Sequence, residues 1–220
     1  MTTFPNSPRL LKGALVAIDP LRPLPTVIVF QYNPETLTRR IEARTSGGDA
    51  GGGGDRTEVL RLAGPPKETI TLAAEIDGSD EVDGLHAGRL ATGIYPTLSA
   101  LELLLYPASR MVIANAAQAA AGVLDILPPE APLVLFVWGA ERVLPVRLES
   151  FSITEEAHDA LLNPVRAKVD LSLQVLSAHD FKQSQPGFSL FMAHHIAKEQ
   201  LASSNVFNSV QSLGAGLKLP

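Results

Sequence analysis

Apolar residues recur along this chain with two different periods. From Glu68 to Ile76 the positions Ile70, Leu72, Ala74 and Ile76 fall on one face by strict alternation, which predicts a strand with one buried and one wet side. The cleanest alternation runs from Val165 to Val175, where Ala167, Val169, Leu171 and Leu173 interleave with Arg166, Lys168, Asp170, Ser172 and Gln174. Val143 to Ile153 also alternates, but its parity changes: Leu144, Val146 and Leu148 are even, Phe151 and Ile153 odd. Such a switch is what a β-bulge near Glu149-Ser150 produces. Leu133 to Trp138 is apolar without interruption, which fits a strand covered on both faces and closed by a tight turn at Gly139.

Shorter β-rich runs open the chain, at Lys12 to Asp19 and Thr26 to Tyr32. Asn33-Pro34 then ends the ladder, because Pro34 cannot donate and Asn33 can bond main chain, and Leu37 to Arg44 resumes it. Arg56 to Leu62 reads as a further strand, and Gly64-Pro65-Pro66 as a turn. Helical spacing takes over between Pro96 and Pro107, where Leu98, Leu101 and Leu105 define the core-facing side. The alanine-rich Ser109 to Val123 is expected to be a second helix, ended by Pro128, Pro129 and Pro132. Near the C-terminus, Gln183 to Gly187 reads as a linker and Phe188 to Leu201 as an amphipathic helix. A polar tail follows with apolar points at Phe207, Val210, Leu213 and Leu217. The pattern predicts an α+β chain, predominantly antiparallel β: a barrel or sandwich with one or two packed helices and a helical C-terminal tail. Its expected parts are an arm over 1–11, a β-rich domain over 12–182 and a terminal unit over 183–220.

Composition narrows the function. The chain has 220 residues, 45% of them hydrophobic, enough to bury a sizeable core. A net charge of −5 offers no basic field for phosphate backbones, so nucleic acid is not an expected partner. The absence of cysteine excludes disulfides, thiolate metal sites and a cysteine nucleophile. No apolar run approaches the roughly 18 residues of a membrane helix, and no secretion signal is read near Met1, so a soluble cytoplasmic product is expected.

Chemistry finds little foothold. A GxSxG elbow is absent, as is HExxH. The histidines are His86, His158, His179, His194 and His195. On a helix, the adjacent His194 and His195 point about 100° apart, which disfavours a shared metal ion. Ser46 to Asp55 holds six glycines but fits no phosphate-binding motif and reads as a mobile loop. The carboxylates of Asp77 to Gly84 lack the EF-hand ligand order, since Val82 stands where Gly is needed and Gly88 where Glu is needed. Glu155-Glu156 reads as an exposed strand end. Trp138 reads as a packing anchor before a sugar platform. No catalytic residue, metal or cofactor is expected.

Taken in order, several of these landmarks resemble the tube-protein domain of contractile injection systems, the phage-tail-like machines that drive an inner tube through a target envelope. Phe30-Gln31-Tyr32-Asn33-Pro34 is similar to that family's F/QxNPxxxxxxR element. Leu60 to Leu72 resembles its LxLxxxID turn and strand, and Tyr95 to Tyr106 takes the place of its core helix. Pro132 to Trp138-Gly139 resembles PPxxxFxWG, Val146 to Ile153 resembles GxxxSxxI, and Pro164-Val165-Arg166-Ala167 resembles GxPxRAxxxxxF. The matches span about Lys12 to Phe181. Two departures stand beside them: the LysM sugar-binding module usual in the family is missing, and the glycine loop is longer than the pattern requires.

The resemblance implies a non-enzymatic adaptor ring, in about six copies, joining the inner tube to the spike hub and baseplate wedge. Such a subunit would be made in the bacterial cytoplasm and become part of a particle that is cytoplasmic, membrane-attached or released, with no membrane insertion of its own. The stripe Phe188, Phe191, Met192 and Ile196, with Phe207 beyond it, is then either a docking face for a neighbour or ordinary core. The competing expectation is a ligand-binding β-barrel, for example for saccharide, using Trp138 or Tyr32 as a stacking platform.

Overall fold

The long alternating segments pair with each other. In the computed structural model, which describes residues 11–19, 24–30, 32–44, 62–78, 92–122 and 131–212 and side chains up to 204, seven strands form one antiparallel sheet. They are β1 (Ala14–Ile18), β2 (Thr26–Val29), β3 (Leu37–Glu42), β4 (Lys67–Asp77), β5 (Leu133–Val137), β6 (Val143–His158) and β7 (Pro164–Val175). The helices are α1 (Tyr95–Glu102), α2 (Ser109–Ala120) and α3 (Pro186–Ser212), with a short 3-10 turn at Ala178–Asp180. The fold is α+β and mainly antiparallel. Strand order is β2-β1-β5-β6-β7-β4-β3, so β7 enters last and joins a β2-β1-β5-β6 half to a β4-β3 half.

β2 and β3 are the two sheet edges, yet they are neighbours in sequence, and this forces the sheet to curl. Val29 pairs with Ala14 in β1, whereas Tyr32, three residues later, bridges to Glu75 in β4. Three residues reach at most about 11 Å. In a flat sheet, five strand spacings of about 4.8 Å would hold β2 and β4 about 24 Å apart. The sheet is therefore bent into a trough whose edges approach at the Asn33-Pro34 corner, without closing into a hydrogen-bonded barrel among the described residues. Asn33 acts here in a way its turn chemistry does not announce. Its Oδ1 accepts from the Gly13 amide at 2.9 Å and its Nδ2 donates to the Leu11 carbonyl at 2.8 Å, so the corner is tied to the entry of β1 and not to its own main chain.

Inside the trough lies one apolar cluster. Ile70, Leu72, Ala74 and Ile76 of β4 meet Ala167, Val169, Leu171 and Leu173 of β7, with Phe136, Leu144 and Val146 from the other half. Each full burial of such a side chain is worth about 1.5–3 kcal/mol. The parity change in β6 is a bulge: Leu148 faces Leu173, but Ser150 faces Ser172, leaving Glu149 extra, and Phe151 and Ile153 then return to the core side. β5 is buried on its inner face at Val134 and Phe136, and its outer Leu135 is also buried, in keeping with the unbroken apolar run. Trp138 stacks on Phe136 with centroids 5.7 Å apart and packs against the core. Gly139 turns the chain at φ 81°.

α1 caps the trough through Leu98 and Leu101, as the spacing predicts, but Leu105 is a correction: it is 48% exposed, and Leu104 is buried in its place. The helix tightens at its end. Leu104 donates to the Leu101 carbonyl and Leu105 to the Glu102 carbonyl, three residues back. Three residues per turn brings positions 98, 101 and 104 into line and rotates 105 outward.

α3 is also longer than expected. It starts at Pro186, inside the anticipated linker, and runs to Ser212, past the expected end at Leu201. Pro186 suits a first helical turn, and Ser203 and Ser204 turn their hydroxyls back to the carbonyls of Gln200 and Leu201, which lets serines continue the helix. The glycine run 46–55, the strand expected over Arg56 to Leu62 apart from Leu62 itself, the acidic turn beyond Gly78, His86, and Leu213 and Leu217 lie outside the described residues.

Candidate assembly surfaces

β6 and β7 continue past most of the sheet and close in a hairpin whose tip is unusually well fixed. The Asp159 carboxylate accepts from the amides of Leu161 and Asn163 and from the Asn163 side chain, all at 2.8 Å. The main chain adds Asp159 N to Asn163 O at 2.9 Å and Leu162 N to Asp159 O at 3.0 Å. These bonds, led by the Asn163 side chain, hold the half-buried Asp159 carboxyl below its ordinary range. Within this clamp, Leu162 has φ 63°, a left-handed conformation that costs a leucine about 1–2 kcal/mol. The product is a rigid tip presenting two adjacent leucines, Leu161 at 80% and Leu162 at 78% exposure.

The base of the hairpin is fastened to α1. The Ile94 amide donates to the Pro164 carbonyl at 2.9 Å, and Gly93 passes so close at φ 56° that an added Cβ would lie 2.1 Å from that oxygen. Beyond α1, the exposed Leu103 and Tyr106 join Pro107, Met111, Pro132 and Ala17 around a cleft of about 310 Å³. α2 borders it and is poorly supported: no side chain of α2 is buried, its N-terminus has no side-chain cap, and Val112 and Ile113 are 52% and 69% exposed. A 12-residue helix with no N-terminal side-chain cap and no buried face is marginal in water.

The sheet exterior divides into two kinds of surface. On the β2-β1 side, Ile18, Val27 and Val29 are exposed at the edge. On the other side, Thr38 pairs with Thr71, Thr71 with Ser172 and Ser172 with Ser150, forming a row of hydroxyls across β3, β4, β7 and β6.

The residues expected to meet a partner lie on α3. Phe188, Phe191 and Met192 are half-buried, and the helix packs beside β6 and the 3-10 turn. Ile196 is 48% exposed, and none of the four belongs to the main core. The side chain of Phe207 lies outside the described residues. Leu161 and Leu162 are not among the expected partner residues; their signal in the sequence is an apolar pair inside a polar turn, between Asp159 and Asn163. Tyr32 is 47% exposed, on the face shared with Glu75, while Trp138 faces inward, so a sugar platform would retain one of its two expected aromatics.

His158 pairs with Glu155 at 2.9 Å, His179 lies beside Gly64, and His195 stacks on Phe191. Among the described residues no group of three or more His, Asp or Glu is placed to hold a metal ion, and no helix is long and apolar enough to cross a membrane. Comparison with known proteins finds no family model that matches the chain and no curated protein that matches it.

Proposed function

We propose that this protein is a structural subunit of a contractile injection particle, an adaptor ring that joins the inner tube to the spike hub and baseplate and performs no catalysis. The observation that carries the reading is the hairpin tip. A turn clamped by one carboxylate, holding a strained leucine outward beside a second, spends stability on presentation, and strain of this kind clusters where a surface is used. α2, with no buried side chain, and the two sheet edges, unpaired among the described residues, point the same way, since each gains from a neighbour.

The six landmarks that resemble the tube-protein family also fall at structurally sensible places. The Asn33-Pro34 corner is where the chain crosses between sheet edges, Trp138-Gly139 ends β5, and Pro164 to Ala167 begins β7. In the assembled ring the leucine tip docks on an adjacent subunit, and tube and hub proteins occupy the two ends. Native mass spectrometry of the purified chain with its tube and hub proteins tests this. Ring-sized complexes that disappear on Leu161→Asp with Leu162→Asp support the reading. A monomer in every mixture overturns it.

A further inference from the structure

α3 is attached to the domain by the packing of Gly187 against the Phe181 ring at its start and by a titratable contact set further along. Its apolar residues Phe188, Phe191 and Met192 are only half-buried, and none joins the core cluster. Its anchorage is completed by polar contacts. The His194 Nδ1 lies 3.2 Å from the Glu141 carbonyl in the turn between β5 and β6, and Lys198 Nζ lies 3.7 Å from Glu68 Oε2. Glu68 is itself 7% exposed and is bound on its other oxygen by Arg39 at 2.6 Å. The other ring nitrogen of His194, Nε2, is buried without a hydrogen-bond partner.

With the Glu141 carbonyl as its neighbour, Nδ1 carries the proton and donates, leaving Nε2 as a bare acceptor in an enclosed place. Neutral His194 tolerates this. A proton added at Nε2 would be a buried cation with no acceptor, facing Lys198 one turn along the helix and Arg39 across β3, with only Glu68 opposing. Glu68 already serves both of those cations. The remaining charged groups nearby are engaged elsewhere: Asp180 accepts from Ser177, the His179 ring lies against Gly64, and His195 faces Glu199 on the exposed flank.

We propose that α3 is an acid-released latch, undocked from the β6 side of the domain when His194 takes a second proton. Burial first, and Lys198 second, hold His194 below its ordinary value of 6.5. The sign follows: the undocked helix binds more protons than the docked one between that value and the lower docked one. Docking is therefore at full strength above about pH 6.5 and weakens as pH falls from there towards the lower docked value, by up to about tenfold in equilibrium constant per pH unit for a single proton. This inference does not depend on the assembly reading.

Hydrogen exchange of the full chain between pH 7.5 and 5.0, corrected for intrinsic rates, tests it directly. Amides of 187–198 are expected to open up to about tenfold more per pH unit below 6.5, while β4 and β7 amides keep their protection. His194→Gln, which retains a donor for the Glu141 carbonyl, should flatten the response, and His195→Gln should leave it as in wild type. NMR titration of the wild-type histidine rings keeps the test decisive if His194→Gln does not fold. A His194 midpoint at or above 6.5, an α3 opening that does not follow that midpoint, or an unchanged response in His194→Gln overturns the proposal.

Discussion

Asp159 concentrates the most consequence in a single side chain. It supplies three hydrogen bonds to a turn that otherwise holds Leu162 in an unfavourable conformation. Asp159→Ala should therefore loosen the tip without unfolding the domain: the thermal midpoint stays near wild type while association with copies or partners is lost in sedimentation velocity. Acid should do the same through the same group. A depressed carboxyl stabilises its turn fully above its ordinary value of about 3.8, and that contribution disappears as pH falls through the lower folded value. Complexes held by the tip should accordingly dissociate on acidification below about pH 4 in wild type. Gly93 is a second residue with no room for change: Gly93→Ala meets the Pro164 carbonyl and adopts a left-handed angle, which should cost at least about 2 kcal/mol in urea denaturation.

Elements show where local pattern was sufficient and where it was not. β4 and β7 were legible because strict alternation has one solution when one face is buried, and the β6 bulge was legible because a parity change has few other causes. The end of α1 was not, since a shift from 3.6 to 3 residues per turn changes which leucine is buried and leaves no mark in composition. Leu104→Ala should then cost about 2–5 kcal/mol while Leu105→Ala stays within about 0.5 kcal/mol, measured by chemical denaturation. The extent of α3 escaped for a related reason: serines and asparagines read as tail, yet hydroxyls bonded to carbonyls within the helix let it continue. The hairpin tip was half legible. Asn163-Pro164 marked the turn, but only the Asp159 clamp reveals that the leucines within it are rigidly displayed.

Among the described residues the molecule is a curled sheet around a shared core, capped by α1, with exposed apolar residues at the hairpin tip and on α2. Curvature comes from a covalent fact, the short path from β2 to β3, and it places the Asn33-Pro34 corner where the two edges approach. α2 and the leucine tip are exposed to neighbours, and subunits that each present one patch to the next form rings when the rotation closes. Association through these features should protect α2. Its amides are expected to exchange rapidly in the isolated chain and slowly in the complex, as read by hydrogen exchange. The proposed place between tube and baseplate can be checked by electron microscopy of particles from cells lacking this protein. Such particles should lack a joined tube and spike, be unable to fire, and be rescued by the wild-type chain but not by Leu161→Asp with Leu162→Asp. Intact, contracting particles in the deletion strain would contradict it.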